Sequence, residues 1–134
     1  MAKLYKAGRF IGGNGIWGNS VTVLDGDLVS KVGWFIVKTG VGVDVLGIAA
    51  GEQTFASDNQ TVAKTKLEFV ELDAYSELEI AISGGTITQV DEGKYYDLTA
   101  GWVVDGATES ATTGQLKMER FISATKGIFT VANK

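Results

Sequence analysis

The chain has 134 residues, is 45% hydrophobic and 21% charged, and carries a formal net charge of −4. This length is enough for one domain whose core needs no disulfide or metal. An acidic chain without a run of lysines or arginines lacks the basic face with which proteins meet nucleic-acid phosphates. It also lacks the usual electrostatic attraction to a membrane surface. We therefore expect a soluble protein, made in a cytoplasm, that binds neither nucleic acid nor membrane.

The first twenty residues combine glycines with aromatic side chains outside any regular strand pattern. We predict that residues 1–20 form an extended, glycine-rich N-terminal arm and that residues 21–134 form a single β domain. Aromatic residues, Trp and Tyr above all, are favoured at the centres of protein interfaces. The alternative is that these side chains pack onto the β domain as core residues. The candidate partner-interface residues are Tyr5, Phe10, Ile11, Ile16 and Trp17 in the arm and Trp102 in a later loop.

The remainder of the chain contains most of the strand signals. Eighteen glycines and no proline suit short strands joined by tight turns. Residues 33–38 are apolar almost throughout, so we predict a central strand covered on both faces, with Trp34 and Phe35 in the core. Further strands are expected over residues 21–24, 27–32, 43–48, 65–72, 94–98, 116–123 and 127–132. This spacing predicts a mainly β fold, either a small β-barrel or a β-sandwich of short antiparallel strands.

The segment from residue 76 to residue 90 gives the clearest local pattern. Leu78, Ile80 and Ile82 alternate with polar residues, as expected for a half-buried strand. Gly84 and Gly85 follow, and a second short β run covers residues 86–90, which together predict a hairpin. Residues 99–114 are rich in Gly, Ala, Ser and Thr and are predicted to form a loop. One helical turn is compatible with residues 57–59.

The residue types offer little for catalysis or for cofactor binding. The chain has no histidine and no cysteine, so the commonest general base and the strongest nucleophile are both missing. Residues 13–18 match GxGxxG, but a β-strand rather than a helix is expected to follow, which favours a flexible loop over a nucleotide site. Asp25 and Asp27 lack the spacing of a calcium loop and are interpreted as a solvated turn. We expect a protein that is not an enzyme and that binds no cofactor or metal.

From Gly47 onward, the order of features resembles the head-decoration (cement) proteins of tailed bacteriophages. In that group a strand of the form VGxxYx(L/I) follows a hairpin, a variable polar loop comes next, and the chain closes near G(I/V)Fx(V/I)AN. Here Gly93-Lys94-Tyr95-Tyr96-Asp97-Leu98 and Gly127-Ile128-Phe129-Thr130-Val131-Ala132-Asn133 correspond to the two ends of that pattern. Residues 45–49, 87–92, 104–108, 114–118 and 123–126 also take part.

The resemblance implies a β-rich structural protein of the virion without a cofactor. Such proteins bind the outer surface of the capsid, contact the major capsid protein, and stabilise the contacts between capsomers. They commonly act as homotrimers, and an N-terminal arm often supplies a contact. The expected location is therefore the capsid exterior, after synthesis in the host cytoplasm.

Three other functions are compatible with the sequence. The domain can belong to a head–tail connector, a head fibre or a tail, where copy number separates it from a decoration protein. It can also be a carbohydrate- or ligand-binding β module that uses Tyr95, Tyr96 and Trp102 as a stacking platform. A hydrolase would need two carboxylates that face each other across a cleft.

Overall fold

The computed structural model of the chain describes residues 3–6, 15–18, 22–40, 42–99 and 103–132, with backbone alone for residues 3–6 and 15–17. Within these ranges the strands are β1 (Lys3–Lys6), β2 (Gly15–Trp17), β3 (Thr22–Val23), β4 (Leu28–Val32), β5 (Phe35–Lys38), β6 (Gly47–Ala49), β7 (Gln53–Thr54), β8 (Lys66–Leu67), β9 (Phe69–Glu71), β10 (Glu77–Ser83), β11 (Tyr95–Thr99), β12 (Val103–Ser110), β13 (Leu116–Ser123) and β14 (Lys126–Val131). The mainly β prediction is confirmed.

Five strands of the C-terminal half close into a barrel in the order β10, β12, β11, β13, β14 and back to β10. The barrel pairings are antiparallel apart from β10 with β12, where Ile82 and Ser83 run parallel to Val104 and Asp105. The alternation predicted for β10 is confirmed, since Leu78, Ile80 and Ile82 are buried while Glu77 and Glu79 are half-buried. A barrel removes the unpaired edges that an open sheet would expose.

A second six-stranded sheet packs beside the barrel, in the order β8, β2, β5, β4, β6, β9. Alternate residues of its strands point to opposite faces and so divide between two cores. Leu28, Ile48 and Val70 join the core that the sheet shares with the barrel. Their chain neighbours Val29, Ala49 and Phe69 join a second core on the other face, together with Val23 and Phe55. The short β3–β7 pair lies beside this second core, because Val23 belongs to β3 and Phe55 directly follows β7.

Gln115 connects the barrel to the loop that follows β5. Its side chain is buried, and its Nε2 donates hydrogen bonds to the carbonyl oxygens of Gly40 at 2.8 Å and Val43 at 2.5 Å. Its Oε1 accepts a hydrogen bond from the Leu98 backbone N–H at 2.8 Å. One amide therefore satisfies three backbone groups from two parts of the fold, which holds the loop against the barrel.

Two predictions about the C-terminal half are wrong. Residues 86–90 do not pair with β10, because the Thr88 backbone N–H donates to Asp91 Oδ2 at 2.8 Å and a 3₁₀ turn begins there, over Gln89–Asp91. The predicted loop over residues 99–114 contains β12, which lies between β10 and β11. The helical turn near residues 57–59 is present as a π-helical turn over Asn59–Ala63.

The described backbone of the first twenty residues lies in both sheets. β1 pairs antiparallel with β10, so that Lys3 lies opposite Glu79 and Lys6 opposite Glu77. β2 pairs parallel with β5 and antiparallel with β8. The separation of an arm at residues 1–20 from a domain at residues 21–134 stays a prediction, and residues 1–2, 7–14 and 19–20 of that segment lie outside the described residues.

Candidate functional site

The most exposed large apolar side chain in the described part of the chain is Trp34, at the tip of the β4–β5 hairpin. A two-residue turn, Gly33–Trp34, joins the paired residues Val32 and Phe35. Gly33 has φ +59°, the left-handed region that glycine enters without steric cost and that the first position of a type II′ turn requires. This turn directs the Trp34 side chain into solvent, where it is 89% exposed. The prediction that Trp34 is a core residue is wrong.

Trp34 lies in the turn beside one end of a row of paired residues that crosses four strands. Val32 pairs with Phe35, Phe35 pairs with Ile16, and Ile16 pairs with Lys66. With about 4.8 Å between neighbouring strands, this row is about 14 Å long. Val32 is 53% exposed and Phe35 is half-buried. We call Val32, Trp34 and Phe35 the tip patch.

The tip patch is attached to a well-packed part of the second sheet. β5 lies between β2 and β4 in the middle of the second sheet. Behind the tip, Val29 of β4 and Ile36 of β5 are buried in the second core. Gly18 packs closely on Phe35, since a Cβ at Gly18 would lie 2.7 Å from the Phe35 Cβ. The exposed tryptophan therefore extends from a packed sheet, which reduces the conformational entropy lost when it is buried by a partner.

Lysines without an acidic partner lie near the two ends of the row. Lys31 precedes Val32 on β4, and Lys66 lies at the far end on β8, two residues after Lys64. All three side chains are exposed, and among the described residues none of them forms an ion pair. Three lysines near the tip patch therefore carry charge that no described carboxylate pairs with, on a chain with net charge −4.

The interface residues predicted from the sequence fall where few side chains are described. Ile16 and Trp17 lie in β2, where their backbones pair with Phe35 and Ile36 beside the tip patch. Tyr5 lies in β1 on the barrel, in the other sheet. Phe10, Ile11 and Trp102 lie outside the described residues. The structure thus places the backbone of two predicted residues, Ile16 and Trp17, next to the tip patch, and their role as interface residues stays a prediction.

The sequence contained a signal for Trp34 that the apolar pattern concealed. Gly33–Trp34 separates two β runs of similar length, the arrangement of a Gly-X hairpin turn. That signal would have placed Trp34 at a turn, where core packing is not expected. The apolar run from Trp34 to Val37 instead suggested one continuous strand.

Tyr96 is not available as part of a stacking platform for a ligand. Its ring is 1% exposed and packs edge-on against Phe129 inside the barrel, with 6.1 Å between ring centroids and 87° between planes. Tyr95 is half-buried on β11 and Trp102 lies outside the described residues. A carbohydrate platform built from Tyr95, Tyr96 and Trp102 is therefore incompatible with the position of Tyr96.

The most strongly perturbed charged groups form an ion-pair network on the barrel surface. Lys94 Nζ donates to Asp91 Oδ1 at 2.9 Å and also contacts Glu109 Oε1. The hydrogen bond from Lys94 lowers the pKa of Asp91, and backbone Thr88 lowers it further. The hydrogen bond to Glu109, followed by that to Asp91, raises the pKa of Lys94. Both shifts move away from neutral pH, so these groups are held charged, which is unlike a general acid or base.

The turn at Asp25 and Asp27 differs from the solvated pair expected from the sequence. Asp27 is fully buried, and its Oδ2 accepts a hydrogen bond from the Leu24 N–H at 2.9 Å and lies 3.4 Å from Lys38 Nζ. Asp25 Oδ1 accepts from the Gly51 N–H at 2.9 Å. Asp27 thus stabilises its own turn, and Asp25 links that turn to the chain at Gly51. Where side chains are described, Asp and Glu form no group of three placed to hold a metal ion.

The helical turns in the described ranges are too short to cross a membrane. No protein-family model matches the chain, and no curated protein matches it significantly. The candidate site is therefore defined by its own geometry: an exposed tryptophan on a well-supported hairpin, beside unpaired lysines.

Proposed function

We propose that the chain is a structural virion protein that binds the outer surface of a capsid and stabilises the contacts between capsomers. The single observation that carries the proposal is the 89% exposure of Trp34 at the tip of a packed hairpin. The similarity of residues 47–134 to phage decoration proteins supplies the kind of partner, the major capsid protein. Self-association, as a trimer by the same similarity, belongs to the proposal.

The exposed tryptophan supports a binding role on energetic grounds. An aromatic side chain of this size buries roughly 200 Å² when a partner covers it. At about 25 cal/mol per Å² this burial is worth about 4 to 5 kcal/mol before the costs of association. Neighbouring Val32 adds further apolar area. Repeated copies on a particle would add their effects, so modest affinity at each contact is enough to reinforce the particle.

The proposal is tested with heads assembled from the major capsid protein of the virus that encodes the chain. The purified full-length chain is incubated with heads before and after expansion, and binding is measured by co-sedimentation and cryo-electron microscopy. We expect density on the outer surface in hundreds of copies, and heads that resist heat better when it is present. Trp34→Ala should weaken binding at least tenfold, the usual effect of removing a central aromatic.

Thr61→Ala is a matched control, because Thr61 is exposed on the π-helical turn and lies outside the tip patch. The proposal is wrong if the wild-type chain binds neither form of the head. A single ring of copies at one vertex would identify a connector instead.

A further inference from the structure

We infer that the surface bound by the tip patch is an apolar pocket with an acidic rim on a partner protein. This inference rests on the proposed function and adds the chemistry of the partner surface. It commits to a protein whose pocket accepts Trp34 and whose carboxylates lie opposite Lys31 and Lys66.

The cationic side chains differ in whether they form an ion pair with a carboxylate. Of the eight lysines and arginines whose side chains are described, five lie within 4.0 Å of a carboxylate: Lys38, Lys94, Lys117, Arg120 and Lys126. The three that form no ion pair within the described residues are Lys31, Lys64 and Lys66. Lys31 lies on β4 of the second sheet, Lys66 on β8 of the same sheet, and Lys64 at the end of the π-helical turn before β8. Among the side chains that the structure describes, the positive charge without a carboxylate within 4.0 Å is therefore confined to the second sheet and the turn before β8.

The geometry places this charge at the rim of the apolar patch and leaves its centre uncharged. Lys31 pairs with Ile36 and therefore points to the opposite face of the sheet from Val32. Lys66 shares the Val32 face about 14 Å away across four strands, so the two lysines lie on opposite sides of the hairpin tip. An apolar centre with a charged rim is the usual anatomy of a protein interface. Rim charges act mainly on the rate of association and on salt dependence. A partner with carboxylates around an apolar pocket is complementary to both parts.

A protein partner fits these observations better than a phosphate polymer or a lipid surface. Three lysines on a chain of net charge −4 make a small basic area, and exposed Glu68 lies directly after β8. A nucleic-acid site needs a longer basic stripe, because each bound phosphate requires its own cation. An anionic membrane attracts clusters of several lysines rather than a few separated ones. Both are included as competing outcomes of the test.

The test compares two double variants that change the net charge equally. Lys31→Gln with Lys66→Gln removes the rim charges, whereas Lys117→Gln with Lys126→Gln removes two exposed charges on the barrel. Binding of each full-length variant to heads is measured at about 0.05 M and about 0.5 M salt. We expect the rim variant to bind about fivefold more weakly than wild type at low salt and almost equally at high salt. The barrel variant should stay within about twofold of wild type at both.

The outcomes separate the inference from the proposed function. If wild type binds heads and the rim variant equals the barrel variant at low salt, the acidic rim is refuted while the proposed function stands. If wild type binds no form of the head, both are refuted. Binding to phosphatidylserine vesicles or single-stranded DNA that depends on Lys31 and Lys66 and competes with heads would also refute the inference. Equal thermal unfolding of the variants shows that each difference arises from binding.

Discussion

Replacing Gln115 by leucine should destabilise the protein through three backbone groups that lose their partner. The Leu98 N–H is buried and would lose its acceptor, at a cost of about 1 to 3 kcal/mol. The carbonyl oxygens of Gly40 and Val43 are nearer to solvent, and each loss costs about 0.5 to 1 kcal/mol. The expected loss of unfolding free energy is about 3 kcal/mol. For a chain of this size, that lowers the Tm by about 10 °C.

The assay is urea denaturation followed by circular dichroism, with Gln115→Glu as a second variant. Glutamate keeps an acceptor for Leu98 but turns a carboxylate towards the carbonyls of Gly40 and Val43. Burial beside acceptors raises the folded-state pKa of this carboxyl above its unfolded value of about 4.3. The stability of this variant is then highest below the unfolded-state pKa of about 4.3, and it falls as the pH rises through the folded-state pKa. The variant should therefore approach wild type as the pH is lowered from 7 to about 4.5.

Two results would refute this account of Gln115. One is a leucine variant within about 0.5 kcal/mol of wild type, which would mean that the three backbone groups find other partners. The other is a glutamate variant whose difference from wild type does not change with pH. Gln89→Leu is the matched control, because Gln89 is exposed in the 3₁₀ turn and should give a change within about 0.5 kcal/mol.

Trp34→Ala should leave the unfolding free energy within about 0.5 kcal/mol of wild type in a urea titration, because this side chain is exposed; a loss above 2 kcal/mol would show that it packs inside the fold. Tyr96→Phe should be neutral or slightly stabilising at pH 7, because the buried hydroxyl has no hydrogen-bond partner among the described residues. Burial, with Asp91 and Glu109, raises the pKa of Tyr96 to about 12, so wild type should lose about 2 kcal/mol as pH rises from 10 to 12 and the phenylalanine variant should lose less. Gly47→Ala should cost about 2 to 3 kcal/mol by thermal melting, because its Cβ would lie 2.5 Å from the Val70 carbonyl oxygen. Gly40→Ala, whose Cβ would have its nearest contact at 3.6 Å, should be tolerated, and equal losses would contradict the packing.

The sequence predicted best the features that depend on residues close together in the chain. The alternation of Leu78, Ile80 and Ile82 identified β10, because a half-buried strand repeats every two residues. The partner of that strand was not predictable in the same way. β10 pairs with β14, β12 and β1, which lie far from it in sequence. Gly84 and Gly85 suggested a local hairpin, whereas Gly85 lies against the backbone of Gly106 in β12.

The small residues of β12 explain why a strand resembled a loop. A Cβ at Gly106 would lie 3.1 Å from backbone atoms of Gly85, so glycine is favoured where the two segments approach. A composition typical of loops therefore marks a close contact between backbones. The candidate site was missed for a related reason, since apolar neighbours concealed the turn at Gly33 and Trp34. Burial depends on the whole fold and is not determined by the hydrophobicity of a short segment.

The closed barrel also determines the order in which the fold can be completed during synthesis. β10 ends at Ser83, but one of its edges is paired only when β14 arrives, at Lys126–Val131. At about 5 to 20 residues per second, a ribosome needs about 2 to 10 s to add the intervening segment. During that interval the nascent chain presents an amphipathic strand with free backbone donors and acceptors to its surroundings. The strand pairing that closes the mature barrel therefore leaves one edge of β10 open in the growing polypeptide until β14 has been synthesised.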